Sequence, residues 1–529
     1  MTDFDYVILG GGSAGCALAG RLSEDPRRRV CLLEAGDDGT SWMVSTPAAV
    51  LVMAQTRRHM YPFETDPQAG LNGRRGYQPR GACLGGSSAV NAMVYTRGHA
   101  IDYDGWAALG NPGWSYAEVL PYFKRSENDE TIQDDFHGVG GPLNVALPRT
   151  GNPFQQIFLD AARQAGFRLS NDFNGADQEG AGVYQVTQRN GERWSAARGY
   201  IHANLGRPNL SVITGARARR VLLDGTRATG VLYAKDGRDH TVHAAAEVIV
   251  CAGALQTPQI LMLSGIGDGE ALRRFSIPVV AHLPGVGANL QDHIDFTFGY
   301  RLNNLDLFGL SFGGACRALR EIARYRRDRT GMITSNYAEA GAFLKTDPSL
   351  AAPDLQLHFV TGIVENHGRK LRRGHGYSCH VCWLRPKSRG TVGLASPDPF
   401  APPRIDPNFY GDPDDLDGMV RSFKLTRRIL QAPAFADLRP TDLFTAGVES
   451  DDEIRQSLRD RSDTVYHPAG SCRMGSDPMA VVDATLRVHG LQRLRIADAS
   501  IMPTLVGGNT NAPCVMIGEK AADLIITAA

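Results

Sequence analysis

The segment from Asp5 to Glu34 constrains this chain more than any other. Asp5 to Leu9 is a short β-rich run, Gly10, Gly12 and Gly15 form GxGxxG directly after it, Ser13 to Ser23 reads as helix, and Arg29 to Leu33 as a second strand. This is a βαβ unit around a glycine turn. Gly10 permits the tight turn, Gly12 lets the backbone approach a pyrophosphate, and Gly15 lets helix and strand pack closely, while the helix N-terminus favours an anion. Glu34 ends the second strand, 19 residues past Gly15, where it can accept hydrogen bonds from ribose hydroxyls. An acid there argues against a 2′-phosphate. The unit predicts dinucleotide binding on a Rossmann-like α/β domain, the alternative being a purely structural glycine turn. It does not separate FAD from NAD.

Glycine usage agrees with this reading. The chain has 59 glycines in 529 residues, about 11% against a usual ~7%, so many positions need unusual backbone angles or close approach to a ligand. Lys and Arg total 56, as do Asp and Glu, and a formal charge of zero gives no overall field toward nucleic acid. Nine cysteines, odd in number and scattered, do not read as a disulfide framework. The start MTDFDYVILGGG has no basic, signal-like stretch, and no run of 18 apolar residues occurs. A cytoplasmic protein is expected, with peripheral attachment to the inner face of a membrane left open.

At roughly 150 residues per domain, the length allows two to four domains. Residues 70–98 are dense in Gly and Ser and read as a long ligand-facing loop, regular only from Val90 to Tyr95. Residues 209–252 read as a β-meander returning to the main sheet. Between about 301 and 461, DLQLHFV, GYSCHVCWLR and GTVGLAS alternate like antiparallel strands, with helices near Leu416 to Leu430 and Asp452 to Leu458. The tail returns to glycine turns, a strand in LRIADAS and a closing helix in VMIGEKAADLII. The expected fold is α/β plus α+β.

Four segments together resemble the glucose-methanol-choline (GMC) family of flavin oxidoreductases, in particular its bacterial choline, alkanol and L-sorbose dehydrogenase-like branch. They are DYVILGGGSAGCALAGRLSED with LLEAG, RGACLGGSSAVNAMVYTRGH, GALQTPQILMLSGIG with PGVGANLQDH, and YHPAGSCRMG with ADASIMPTLVGGNTNAPCVMIGEKAADLI. The resemblance implies FAD, a discontinuous FAD-binding domain (1–150, 190–300 and 462–529) and an antiparallel-sheet substrate domain (151–189 and 301–461). It implies that Ser13, Ala14 and Gly15 meet the pyrophosphate and that Glu34, with Ala35, meets the adenosine ribose. Gly86 and Asn91, Ala92, Met93 and Val94 would lie beside the flavin, and Ala218 at the adenine, where relatives usually carry valine. Asp498 and Ala499 would close over the cofactor, with Asn509 and Thr510 by the pyrimidine end. Some relatives link FAD covalently through a histidine where this chain has Val90, so noncovalent FAD is expected.

Oxidising an alcohol requires loss of the hydroxyl proton and transfer of hydride from the same carbon. A histidine base, with an ordinary pKa near 6.5, suits the first task, and a neighbouring amide can hold the oxygen. The resemblance assigns His467 of YHPAG as the base and Asn511 as its partner. Glu339 of YAEAGAF falls at a family position on the substrate cavity, where choline-oxidising relatives turn a carboxylate toward the trimethylammonium group, the alternative being a structural ion pair, since non-choline relatives carry the same glutamate. His293 of NLQDH reads as structural. No metal is expected, since Cys379 and Cys382 have CxxC spacing without a second pair. The basic stretch Arg317 to Arg329 reads as a solvated helix face, the alternative being a membrane or partner contact.

The expected substrate is a primary, sugar-type, choline or aliphatic alcohol. The basic segment HFVTGIVENHGRKLRRGHGY, expected at the pocket rim, tilts this toward polyols and short alcohols. A quinone or dye-like acceptor is expected to take the electrons. The alternatives are an oxygen-using oxidase, a lyase that keeps FAD without net redox change, and a noncatalytic flavoprotein. Oligomeric state is not legible, a homodimer being the general default.

Overall fold

Val7, Ile8 and Leu9 are apolar, and in the computed structural model they lie buried at the centre of a mostly parallel sheet. The structure describes residues 4–528; Met1 to Asp3 and Ala529, at the outer ends of the first and last expected segments, lie outside the described residues. Strand Phe4–Leu9 pairs in parallel with Val30–Leu33 on one side and with the C-terminal half of Arg238–Val250 on the other. Leu210–Ile213 and Leu494–Ile496 add further parallel strands. The N-terminal half of Arg238–Val250 instead pairs antiparallel with Arg227–Lys235, and that strand with Arg217–Asp224. One long strand thus joins the meander to the nucleotide-binding sheet.

Helix Ser13–Leu22 follows the glycine turn, and the C-terminal helix Asn511–Ile526 packs directly on it. Their approach requires small residues, because a Cβ on Gly518 would stand 2.3 Å from the Ala14 carbonyl oxygen. Gly15 serves the same end at the turn, where a Cβ would come within 2.0 Å of the Gly10 carbonyl oxygen. The start of the closing helix is thereby held beside the start of the first.

The second sheet is antiparallel, in the order Thr441–Asp442, Ile294–Arg301, Gly374–Trp383, Leu355–Val360, Ala338–Leu344 and Gly180–Val183. Helix Pro413–Leu430 covers one face. It is capped by Asp412, begins on Pro413 and ends near Arg427 and Arg428, each matching the helix dipole or its free backbone groups. Its Phe423 ring lies 4.6 Å from that of Phe298.

Three sequence expectations need correction. Residues 294–300, expected in the FAD-binding segment, lie within a central strand of the second sheet, because Ile294, Phe296, Phe298 and Tyr300 alternate into its core. Val90 to Tyr95 form no strand; Met93 has φ of 58° and the segment wraps as irregular backbone. Thr391–Gly393 is a strand, but it pairs with Arg404–Asp406 outside the main sheet.

Candidate active site

A single cavity of about 570 Å³ joins the two sheets. All residues expected at the cofactor line it except Gly15, whose role is the close packing described above. At one end the strand-turn-helix unit leaves bare backbone facing the cavity. A Cβ on Gly12 would meet only the Cys251 carbonyl oxygen, at 3.9 Å, and Gly86, at φ of 53°, stands over it on the opposing loop. Such a cradle beside a helix N-terminus fits a pyrophosphate. Glu34 is buried, and its carboxylate accepts from the Gly11 and Gly36 amides at 2.9 and 2.7 Å. Burial pushes its pKa up, against the pull of these backbone donors. Asp498 likewise accepts from Gly253 N, Thr257 Oγ1 and Ser500 N, which ties the ADAS turn to helix Gly253–Leu263.

Histidines gather at the other end. His467 is 7% exposed, and its backbone amide donates to Asp292 Oδ1 at 2.9 Å. Its Nε2 lies 3.2 Å from Asn509 Nδ2, and its Nδ1 lies 3.0 Å from His293 Nδ1. The Asn509 carboxamide is oriented by its oxygen, which accepts from Gln356 Nε2 at 2.9 Å and from the Thr96 hydroxyl at 3.1 Å. Its NH₂ therefore faces His467 and also His358, whose Nε2 is 3.5 Å away. An amide nitrogen only donates, so the His467 Nε2 accepts and its proton sits on Nδ1, donated to His293. Burial lowers the His467 pKa well below its ordinary value, with the neighbouring His293, His358 and Arg80 adding to the effect. Burial also drives His293 and His358 each down to about 3. Burial thus favours the neutral form of all three.

Asn511 does not meet His467. It is the first residue of the C-terminal helix, and its Oδ1 accepts from the Ser13 hydroxyl at 2.7 Å. The NTNAP segment offers two asparagines, and the position of the helix start decides which one reaches the histidine. Asn509, before the helix, is the one that does. Glu339 also departs from expectation. Its neighbour Ala338 lines the cavity, but Glu339, at a bulge in the strand, is fully buried and does not line it. It accepts there from Thr150 Oγ1 at 2.7 Å, from Gln155 Nε2 at 2.6 Å and from Ser335 Oγ.

Sequence reasoning missed His358, Gln356 and Thr96 and took His293 as structural. His358 is a lone histidine in an alternating strand, which carries no signal by itself. Cys379 and Cys382 lie on strand Gly374–Trp383 with their side chains on opposite faces, so the CxxC spacing does not converge. The Cys382 sulfur comes near the ring nitrogens of His293 and His467, and burial keeps it a thiol by raising its pKa well above the usual range. The basic segment does reach the cavity, but through Val360, Ile363, Val364 and Leu371 as well as Arg372 and His367. Lys370 and Arg373 point to solvent. Among the described residues lining the cavity, the only carboxylates are Glu34 and Asp498, both at the cofactor end.

A dinucleotide cradle opening through one cavity onto a buried histidine fits a dinucleotide-dependent oxidoreductase. The chain belongs to the GMC oxidoreductase family: the family's N-terminal region matches residues 4–295 and its C-terminal region residues 386–518. It is 44% identical over 527 residues to the alcohol dehydrogenase [acceptor] of Pseudomonas putida, covering 99% of this chain and 96% of that one. It is 42% identical to human mitochondrial choline dehydrogenase, covering 99% and 90%. Among solved structures, pyridoxine 4-oxidase from Mesorbium loti superposes with a TM-score of 0.88 at 31% identity, covering 98% and 99%. The cofactor is FAD, and the cradle and the Glu34 carboxylate fit it. Val90, lining the cavity where some relatives carry the linking histidine, has no nucleophile, in keeping with noncovalent binding.

Proposed function

We propose that this protein is an FAD-dependent alcohol dehydrogenase that oxidises neutral, apolar-tailed alcohols and passes electrons to a quinone or dye-like acceptor. The observation that carries the reading is the Asn509 Nδ2 and His467 Nε2 pair, 3.2 Å apart, at the histidine end of the cofactor cavity. Bound FAD supplies the hydride acceptor. A hydroxyl set against the pair accepts from Asn509 Nδ2 and gives its proton to His467 Nε2, while the hydrogen on the same carbon leaves as hydride and the C–O bond becomes a carbonyl. Holding carbon, base and acceptor in one cavity removes much of the entropic barrier. Ser13, Asn511 and Glu34 position the cofactor, and the N-terminus of the closing helix favours negative charge nearby.

Substrate choice follows from the lining. Phe308, Leu310, Val360, Ile363, Val364 and Leu371 offer apolar surface, and burying each CH₂ of an alkyl tail there contributes about 0.8 kcal/mol. The trimethylammonium of choline would find no carboxylate at this end, since Glu339 is occupied behind the wall. This moves the preference away from polyols. The test is kcat/KM for butanol, octanol, benzyl alcohol, sorbitol, L-sorbose and choline, each with a dye acceptor and with air alone. We expect octanol and benzyl alcohol to lead, with turnover requiring the dye. Choline or sorbitol leading would overturn the substrate assignment, and equal turnover on air would make the enzyme an oxidase.

A further inference from the structure

Helix Phe312–Asp328 is joined to the molecule by an unusual face. Of its 17 residues only Tyr325 is buried. Glu321, which accepts from the Met332 amide at 2.8 Å, and Tyr325 form the side turned to the protein. Phe312, Cys316, Leu319 and Ala323 recur at helical spacing on the opposite side, and Phe312 is 87% and Leu319 71% exposed. An amphipathic helix normally turns its apolar stripe inward. Here the stripe points away from its own protein.

Charge gathers along the same helix. On a chain of zero formal charge, residues 317–329 and 369–373 carry ten Lys or Arg against Glu321 and Asp328. Arg317 pairs with Asp306, Arg327 with Asp328, Arg329 with Glu192, and Lys370 and Arg372 both with Glu365. Arg320, Arg324 and Arg326 have no carboxylate partner among the described residues. The two segments are neighbours, because strand Gly309–Leu310, which leads into the helix, pairs with Gly374 and His375 just past the loop. The cavity opens at this place: Leu310 and Leu371 both line it and are both 48% exposed.

We propose that the Phe312–Asp328 helix and the 369–373 loop seat the enzyme on an anionic bilayer, with the cavity mouth turned toward the lipid. Phe312, Leu319 and Ile322 enter the boundary between headgroups and acyl chains, and the arginines flanking them meet lipid phosphates. Apolar alcohols and lipid-soluble acceptors would then reach the mouth without crossing water. A second copy of this chain is a poorer occupant. Pairing two such helices would bring their unpaired arginines together, which like-charge repulsion opposes, and would close the mouth. The proposal rests on the cavity being the active site, but its readout is binding and does not depend on which alcohol is oxidised.

The test is co-sedimentation of the FAD-loaded full chain with vesicles of three parts phosphatidylcholine to one part phosphatidylglycerol, and with phosphatidylcholine alone. Two double variants accompany it, Phe312→Ser with Leu319→Ser and Arg320→Gln with Arg324→Gln. None of these four residues lines the cavity, so dye-coupled turnover of a water-soluble alcohol in buffer should be unchanged and reports folding. We expect wild type to sediment with the anionic vesicles, less so at high salt, the arginine variant to bind roughly 10- to 30-fold more weakly, and the serine variant at least about 10-fold more weakly. Failure of wild type to bind, or equal binding by both folded variants, would overturn the proposal. So would concentration-dependent dimerisation that the serine variant abolishes while vesicles go unbound.

Discussion

His293 Nδ1 stands 3.0 Å from His467 Nδ1, and because Asn509 donates to the far nitrogen, this contact decides which side of His467 carries the proton. His293 thus leaves the Nε2 lone pair facing the cavity. Replacing it by leucine removes the acceptor and strands the Nδ1–H in a buried site, a loss of about 1–3 kcal/mol. Flavin reduction by alcohol should slow roughly 10- to 100-fold with FAD retained. Asn, whose side-chain oxygen can accept, should restore part of the rate. Equal loss in His293→Leu and His293→Asn would argue for a merely packing role.

The pH profile has a definite sign. Only neutral His467 can take a proton, and burial disfavours its charged form, so lowering the pH should not titrate the base at its ordinary value. The profile of kcat/KM should stay level from pH ~8 down through ~6.5, with no acid limb at the ordinary histidine pKa. An acid limb centred at or above 6.5 would contradict the buried, neutral assignment.

The two asparagines should separate cleanly. Asn509→Ala removes the donor beside His467 and should slow flavin reduction about 10- to 100-fold, with FAD content unchanged. Asn511→Ala removes the acceptor for Ser13 and should weaken FAD retention, by about 0.5–1.5 kcal/mol, while reduction at saturating FAD changes little. Measuring bound flavin and the reduction rate for both variants checks this. The reverse pattern would restore Asn511 as the partner of the base.

Glu339→Gln puts an NH₂ where a carboxylate accepted from Thr150, Gln155 and Ser335. Stability should drop by roughly 1–3 kcal/mol, seen as a lower Tm. The ratio of kcat/KM for choline to that for octanol should not move. A selective loss of choline turnover would place the carboxylate in the substrate cavity after all.

The nucleotide-binding half was legible because its signals are local: Gly10, Gly12, Gly15 and Glu34 lie within one βαβ unit whose spacing carries the physics. The substrate half was legible only as a texture of alternation. Whether Glu339 faced the cavity depended on a bulge in one strand, and whether Asn509 or Asn511 met His467 depended on where a helix begins, a difference of two residues. His293 and His358 come from strands and loops far apart in sequence, and only the folded second sheet brings them to His467. The basic loop misled for a related reason, because Lys370 and Arg373 face solvent while Val360, Ile363 and Val364 line the cavity beside Arg372.

The most direct measurement is anaerobic mixing of octanol with the FAD-loaded protein and with its His467→Ala variant, following flavin absorbance. Wild type should bleach in a single phase and recover on adding a quinone-like dye, while the variant, with the same bound flavin, should bleach about 10²–10⁴-fold more slowly. Flavin that stays yellow with every alcohol, or bleaches equally fast without His467, would contradict alcohol oxidation at this site.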